Sequence, residues 1–72
     1  MERQDLTRFY QLFNIAFTSD KSLKSDCTIE LKKQLLRSCH KVDPEGTYGY
    51  AGTRTVYINS KRIASLYEEL FP

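Results

Sequence analysis

Apolar side chains recur at intervals of three and four along three stretches of the chain, and polar, turn-forming residues separate them. From Gln4 to Phe17 the residues Leu6, Phe9, Tyr10, Phe13 and Phe17 fall on one helical face. Leu12 and Ile15 widen that face, so this first helix is expected to meet more than one neighbour, with Asp5 as its N-cap. Thr18 to Asp26 reads TSDKSLKSD, holds a single apolar residue, Leu23, and is expected to be a loop. Ser25 or Asp26 is placed to cap a second helix, whose apolar positions are Ile29, Leu31, Leu35, Leu36, Cys39 and Val42. That helix should stop near Val42, because Pro44 disfavours helical geometry at Asp43 and offers no backbone donor.

Beyond the second helix the pattern changes. Asp43-Pro44-Glu45-Gly46 reads as a turn, with Gly46 free to take positive φ. Thr47 to Ala51 and Arg54 to Ile58 are rich in Thr, Tyr, Val and Ile and flank Gly52-Thr53, which predicts a β-hairpin. Asn59 or Ser60 then caps a third helix in which Ile63, Leu66, Tyr67, Leu70 and Phe71 make the cleanest amphipathic stripe in the chain. The expected architecture is α+β: one small domain over residues 1–72, built of two helices, a β-hairpin and a C-terminal amphipathic helix.

At 72 residues there is material for one core and no second one. Eight Leu, four Ile, two Val, four Phe and five Tyr suffice for a two-layer core. Domains of this size net only roughly 3–5 kcal/mol from burial, so a homodimer is a natural remedy. Glu2, Arg3 and Asp5 at the start argue against a secretory signal, and no stretch nears the ~20 apolar residues that cross a bilayer. Cys27 and Cys39 are separated by about 18 Å if the helix between them is continuous, at ~1.5 Å per residue. A disulfide tolerates ~4.4–6.8 Å between Cα atoms. Free thiols fit a reducing compartment, and cytoplasm is the expected location.

The residue inventory argues against catalysis. The single histidine, His40, adjoins Cys39, but neighbours on a helix point ~100° apart and cannot form a thiol–imidazole dyad. Cys27, Cys39 and His40 supply at most three zinc ligands, without a paired spacing, so no metal is expected. Asp43 with Glu45 lies in a turn, and Glu68 with Glu69 on a solvent face, neither poised for acid–base work. Gly46, Gly49 and Gly52 do not form a phosphate loop. Neither an enzyme nor a cofactor is expected.

Charge is distributed unevenly: residues 1–20 carry net −1, 21–42 +4, 43–53 −2, 54–62 +3 and the last ten −2. In the first basic block Lys33, Arg37 and Lys41 are spaced by four, bordered by Gln34, Ser38 and His40, opposite the apolar face of the second helix. Such a stripe suits a nucleic-acid groove, with guanidinium and amide groups toward base edges and lysines on phosphates; a plain solvated face is the alternative. In the hairpin, Tyr48 and Tyr50 share one strand face and Arg54 follows the turn, which suits a tip that stacks on bases and touches phosphate. The alternative is that these tyrosines cover the core. Lys61 and Arg62 add a second phosphate contact at a helix start, where cations are electrostatically misplaced.

Helix, helix, hairpin and helix, with Thr55-Val56-Tyr57-Ile58-Asn59-Ser60-Lys61-Arg62-Ile63 at the junction, loosely resembles winged-helix excisionase-type proteins over the last third of the chain. Residues 28–42 read as one continuous helix, without the turn of that motif, so no functional residue is carried over. Two functional expectations follow. The first is a small nucleic-acid-binding regulator, with DNA ahead of RNA. The second is an adaptor or inhibitor of a larger protein, using aromatic surface from Phe9, Tyr10, Phe13, Phe17, Tyr67 and Phe71.

Overall fold

The computed structural model describes residues 2–48, 50–51, 55–56 and 58–72, with backbone pairing alone for 50–51 and 55–56. Three helices dominate: α1, Arg3–Ala16; α2, Ile29–Val42; and α3, Ser60–Leu70. Neither α1 nor α2, at 14 residues each, would be more than marginally helical alone, so both depend on burying their apolar faces.

Two of the three caps differ from those read in the sequence, and the third, Asn59, is one of the two expected. Thr28, not Ser25 or Asp26, caps α2: its side chain accepts from the Leu31 amide at 3.1 Å. The loop turns once more before the helix, with the Cys27 amide donating to the Lys24 carbonyl at 3.2 Å, which moves the boundary past both expected caps. Glu2 precedes α1 and makes no side-chain cap, while Asp5 lies inside the first turn. Asn59 caps α3 by accepting from the Arg62 amide at 3.3 Å.

The expected α+β architecture with a β-hairpin gives way to a three-helix domain. Among the described residues the strand content is two short pieces, β1, Tyr50–Ala51, and β2, Thr55–Val56, paired antiparallel as Tyr50↔Val56 and Ala51↔Thr55. Two pairs do not make a sheet layer, which needs longer strands, more of them and an apolar face. The reason lies in Tyr48 and Ile58. Instead of extending the strands, residues 43–48 fold back so that Tyr48 is buried, and Ile58 packs on the helical core. Of the expected hairpin, the strand positions Gly49, Arg54 and Tyr57 and the turn Gly52-Thr53 lie outside the described residues.

One core joins the elements: Phe9, Leu12, Phe13, Ala16 and Phe17 from α1 and its end, Leu35, Leu36, Cys39 and Val42 from α2, Tyr48, and Ile63 and Leu66 from α3. Phe13 lies between two rings, stacked on Phe17 at 4.2 Å and on Tyr67 at 4.0 Å between centroids. Burying a Phe or Leu contributes roughly 1.5–3 kcal/mol relative to exposing it, so this stack is a principal tie between α1 and α3. The sequence pattern overreached at three sites: Tyr10 is exposed, and Ile15 and Ile29, at helix ends, are 56% and 63% exposed. The loop after α1 is held by the Lys24 amide on the Ala16 carbonyl at 2.9 Å and by a bridge between Phe17 and Leu23. A salt bridge from Lys21 to Glu68 at 2.7 Å ties that loop to α3.

Candidate functional site

The side of α2 turned away from the core carries Lys33, Arg37, His40 and Lys41, and the helix as a whole holds Lys32, Lys33, Arg37 and Lys41 against one acid, Glu30. Among the described residues none of these cations has a carboxylate within salt-bridge distance; Lys21–Glu68 is the sole such pair. Arg37, His40 and Lys41 are exposed, and Lys33 and Gln34 are half-buried. The helix dipole favours the placement of these charges: Glu30 lies in the first turn and Lys41 in the last.

Arg37 stands between two depressions. On one side it lines a hollow with Lys33, Leu36 and His40. On the other it lines a groove of about 200 Å³ between α1 and α2, with Asp5, Arg8 and Leu12 facing Gln34, Arg37, Ser38 and Lys41. The spacing explains the groove. Positions 5, 8 and 12 share one flank of α1, positions 34, 37, 38 and 41 share one flank of α2, and small Ser38 leaves a gap between them. Arg8 donates from Nη2 to Gln34 Oε1 at 3.3 Å, which places its guanidinium beside the cations of α2. Ser38 is 5% exposed, and its Oγ has no hydrogen-bond partner among the described residues.

Arg8 was absent from the residues read out of the sequence. The signal was Leu12: a residue that widened the apolar face of α1 implied a second neighbour, and Arg8, one turn away, borders that same contact.

The other expected site residues are distributed differently. Tyr48 is 2% exposed, donates its hydroxyl to Asp43 Oδ2, and meets the edge of His40 at 5.8 Å between centroids, so its ring is no stacking platform for bases. Burial, reinforced by the Asp43 carboxylate, holds the Tyr48 phenol above its usual range. The same two causes push the Cys39 thiol, beneath the helix surface, up to about 12. Burial also raises the Cys27 thiol. The side chain of Tyr50 and the whole of Arg54, expected to stack on bases and touch phosphate, lie outside the described residues. Lys61 and Arg62 are exposed on α3. Arg62 lines a shallow hollow with Asp43, Tyr48 and Glu69, and among the described residues it has no carboxylate within salt-bridge distance.

The aromatic residues considered as a protein-binding surface are mostly interior: Phe9, Phe13 and Phe17 are buried, and Tyr67 and Phe71 half-buried. Tyr10 is 45% exposed, packed on Tyr67 at 5.9 Å and edge-on to Phe71 at 5.0 Å. Among the described residues no cluster of His, Cys, Asp or Glu could hold a metal ion, and no helix is long and apolar enough to cross a membrane. Comparison with known protein families, curated proteins and solved structures yields no match.

Proposed function

We propose that this chain is a small, non-enzymatic nucleic-acid-binding protein that presents α2, with Arg8 from α1, to the phosphate backbone. One observation carries this reading: Arg8, Lys33, Arg37 and Lys41 gather along one side of α2, and none has a carboxylate partner among the described residues. Cations that outnumber the acids beside them, here Asp5 and Glu30, and that form no ion pair repel one another, and a polyanion relieves that repulsion while releasing its own condensed counterions. Gln34 and Ser38, on the same side, add neutral hydrogen-bonding groups beside the cations. DNA is placed ahead of RNA because a single exposed helix fits the major groove of B-form duplexes, whereas that of A-form RNA is too narrow for side-chain readout. Two free thiols, Cys27 and Cys39, agree with a reducing compartment such as the cytoplasm.

Fluorescence anisotropy with labelled duplex DNA and duplex RNA, over a range of salt concentrations, tests this. Binding is expected at low salt, with log Kd linear in log salt and a slope of roughly 0.9 per phosphate contact. Combined Lys33→Ala, Arg37→Ala and Lys41→Ala replacement should remove about three contacts' worth of that slope. No binding of the wild-type chain to either duplex at low salt would end the proposal.

A second reading rests on Tyr10, whose ring lies partly in solvent against Tyr67 and Phe71. An aromatic patch of that kind suits the anchor of a protein interface. The same binding assay separates the two, since a protein partner leaves duplex affinity absent.

A further inference from the structure

The groove between α1 and α2 contains one polar group that no described residue of the chain satisfies. Ser38 is buried, yet among the described residues its Oγ makes no hydrogen bond, even to the carbonyl one turn earlier that a helical serine commonly takes. Buried polar groups without partners are rare in folded proteins, and each calls for a physical cause. Packing alone does not supply one, because alanine would let α1 approach as closely without leaving a donor unsatisfied.

The neighbours of that hydroxyl indicate what it is for. Arg8 approaches from α1 and is steadied by Gln34; Arg37 and Lys41 approach from α2; all four residues line the same groove as Ser38. Guanidinium groups present paired donors that match the oxygens of a phosphate, lysine adds a point charge, and a hydroxyl hydrogen rotates to meet an acceptor. Asp5 is the one acid in the groove and opposes an anion there.

We propose that this groove seats one phosphate group, gripped by Arg8, Arg37 and Lys41 with the Ser38 hydroxyl donating from its floor. The proposal deepens the nucleic-acid reading, on which it rests for the source of the phosphate, a backbone phosphodiester. In that setting the seat fixes the register of α2 on the duplex, as phosphate contacts position a protein while base contacts specify sequence.

The test uses the whole chain and two probes. Inorganic phosphate is titrated while backbone amide shifts are followed by NMR, with sodium chloride at matched ionic strength as the control. Phosphate should move the amides of Gln34 to Lys41 and of Arg8 saturably, and chloride should not. Ser38→Ala should leave thermal stability unchanged or raised, since it removes an unsatisfied donor, and yet weaken phosphate binding by on the order of tenfold. Asp5→Asn should tighten it. In the duplex assay Arg8→Gln should lower the salt slope by about one contact.

Equal shifts with chloride, or Ser38→Ala binding phosphate as wild type does, overturn the seat. Duplex binding with an unaltered slope in Arg8→Gln overturns it as well, while leaving the general nucleic-acid reading in place. Saturable phosphate binding without any duplex binding keeps the seat and removes that reading.

Discussion

Gly46 shows how one residue fixes a chain reversal. The turn after α2 closes with the Gly46 amide donating to the Asp43 carbonyl at 3.1 Å, and its glycine is required by space rather than by a left-handed backbone. A Cβ there would run into the Tyr48 ring and hydroxyl. That ring cannot swing aside, because it is buried and its hydroxyl is held by Asp43. Gly46→Ala should therefore destabilise the domain by about 2 kcal/mol, the range typical of overpacking. Urea unfolding measures it, and an unchanged midpoint would mean that Tyr48 is held less firmly than its contacts imply.

Among the elements, α2 carries both structure and the proposed contact surface. Its apolar flank supplies Leu35, Leu36, Cys39 and Val42 to the core, and its outer side supplies the cations. Its start is set by the Thr28 side chain on the Leu31 amide, whereas Ser25 and Asp26 are exposed in the preceding loop. Thr28→Ala should cost about 1 kcal/mol, and Ser25→Ala or Asp26→Ala should stay within about 0.5 kcal/mol of wild type. Thermal unfolding of the three variants decides between the caps: a larger loss at Asp26 than at Thr28 would return the helix start to the earlier position.

For the whole molecule, a small core with a thiol and a phenol inside it makes stability sensitive to alkali. The Cys39 thiol, with an ordinary value near 9, is raised to about 12 in the fold, and Tyr48 is raised as well. A raised value means the native state keeps its proton when the unfolded chain has lost it. This stabilisation of the protonated fold is complete below about pH 9 and is lost as pH rises toward 12. Stability should fall there by up to about 1.4 kcal/mol per pH unit from Cys39 alone. Cys39→Ala should show a shallower decline between pH 9 and 12, read from denaturant midpoints across that window. An equally steep decline would place the alkaline sensitivity elsewhere.

Local spacing determined the helices. Intervals of three and four named the three helical stretches and nearly every core residue of α1, α2 and α3, because a helix places such positions on one face whatever it packs against. The basic side of α2 was legible for the same reason. Three things needed the tertiary structure. Ile15 and Ile29 match the apolar pattern but fall at helix ends, where they stay more than half exposed. Tyr48 reads as a strand residue, yet joining the core and bonding Asp43 takes it out of any strand, and the expected sheet layer is absent among the described residues. Arg8 lies on another helix, far along the chain from Arg37 and Lys41, and comes to their groove only when α1 and α2 pack. Periodicity assigns a residue to a face of its own helix; which faces meet depends on loop closure and on the shapes that fill the space between them.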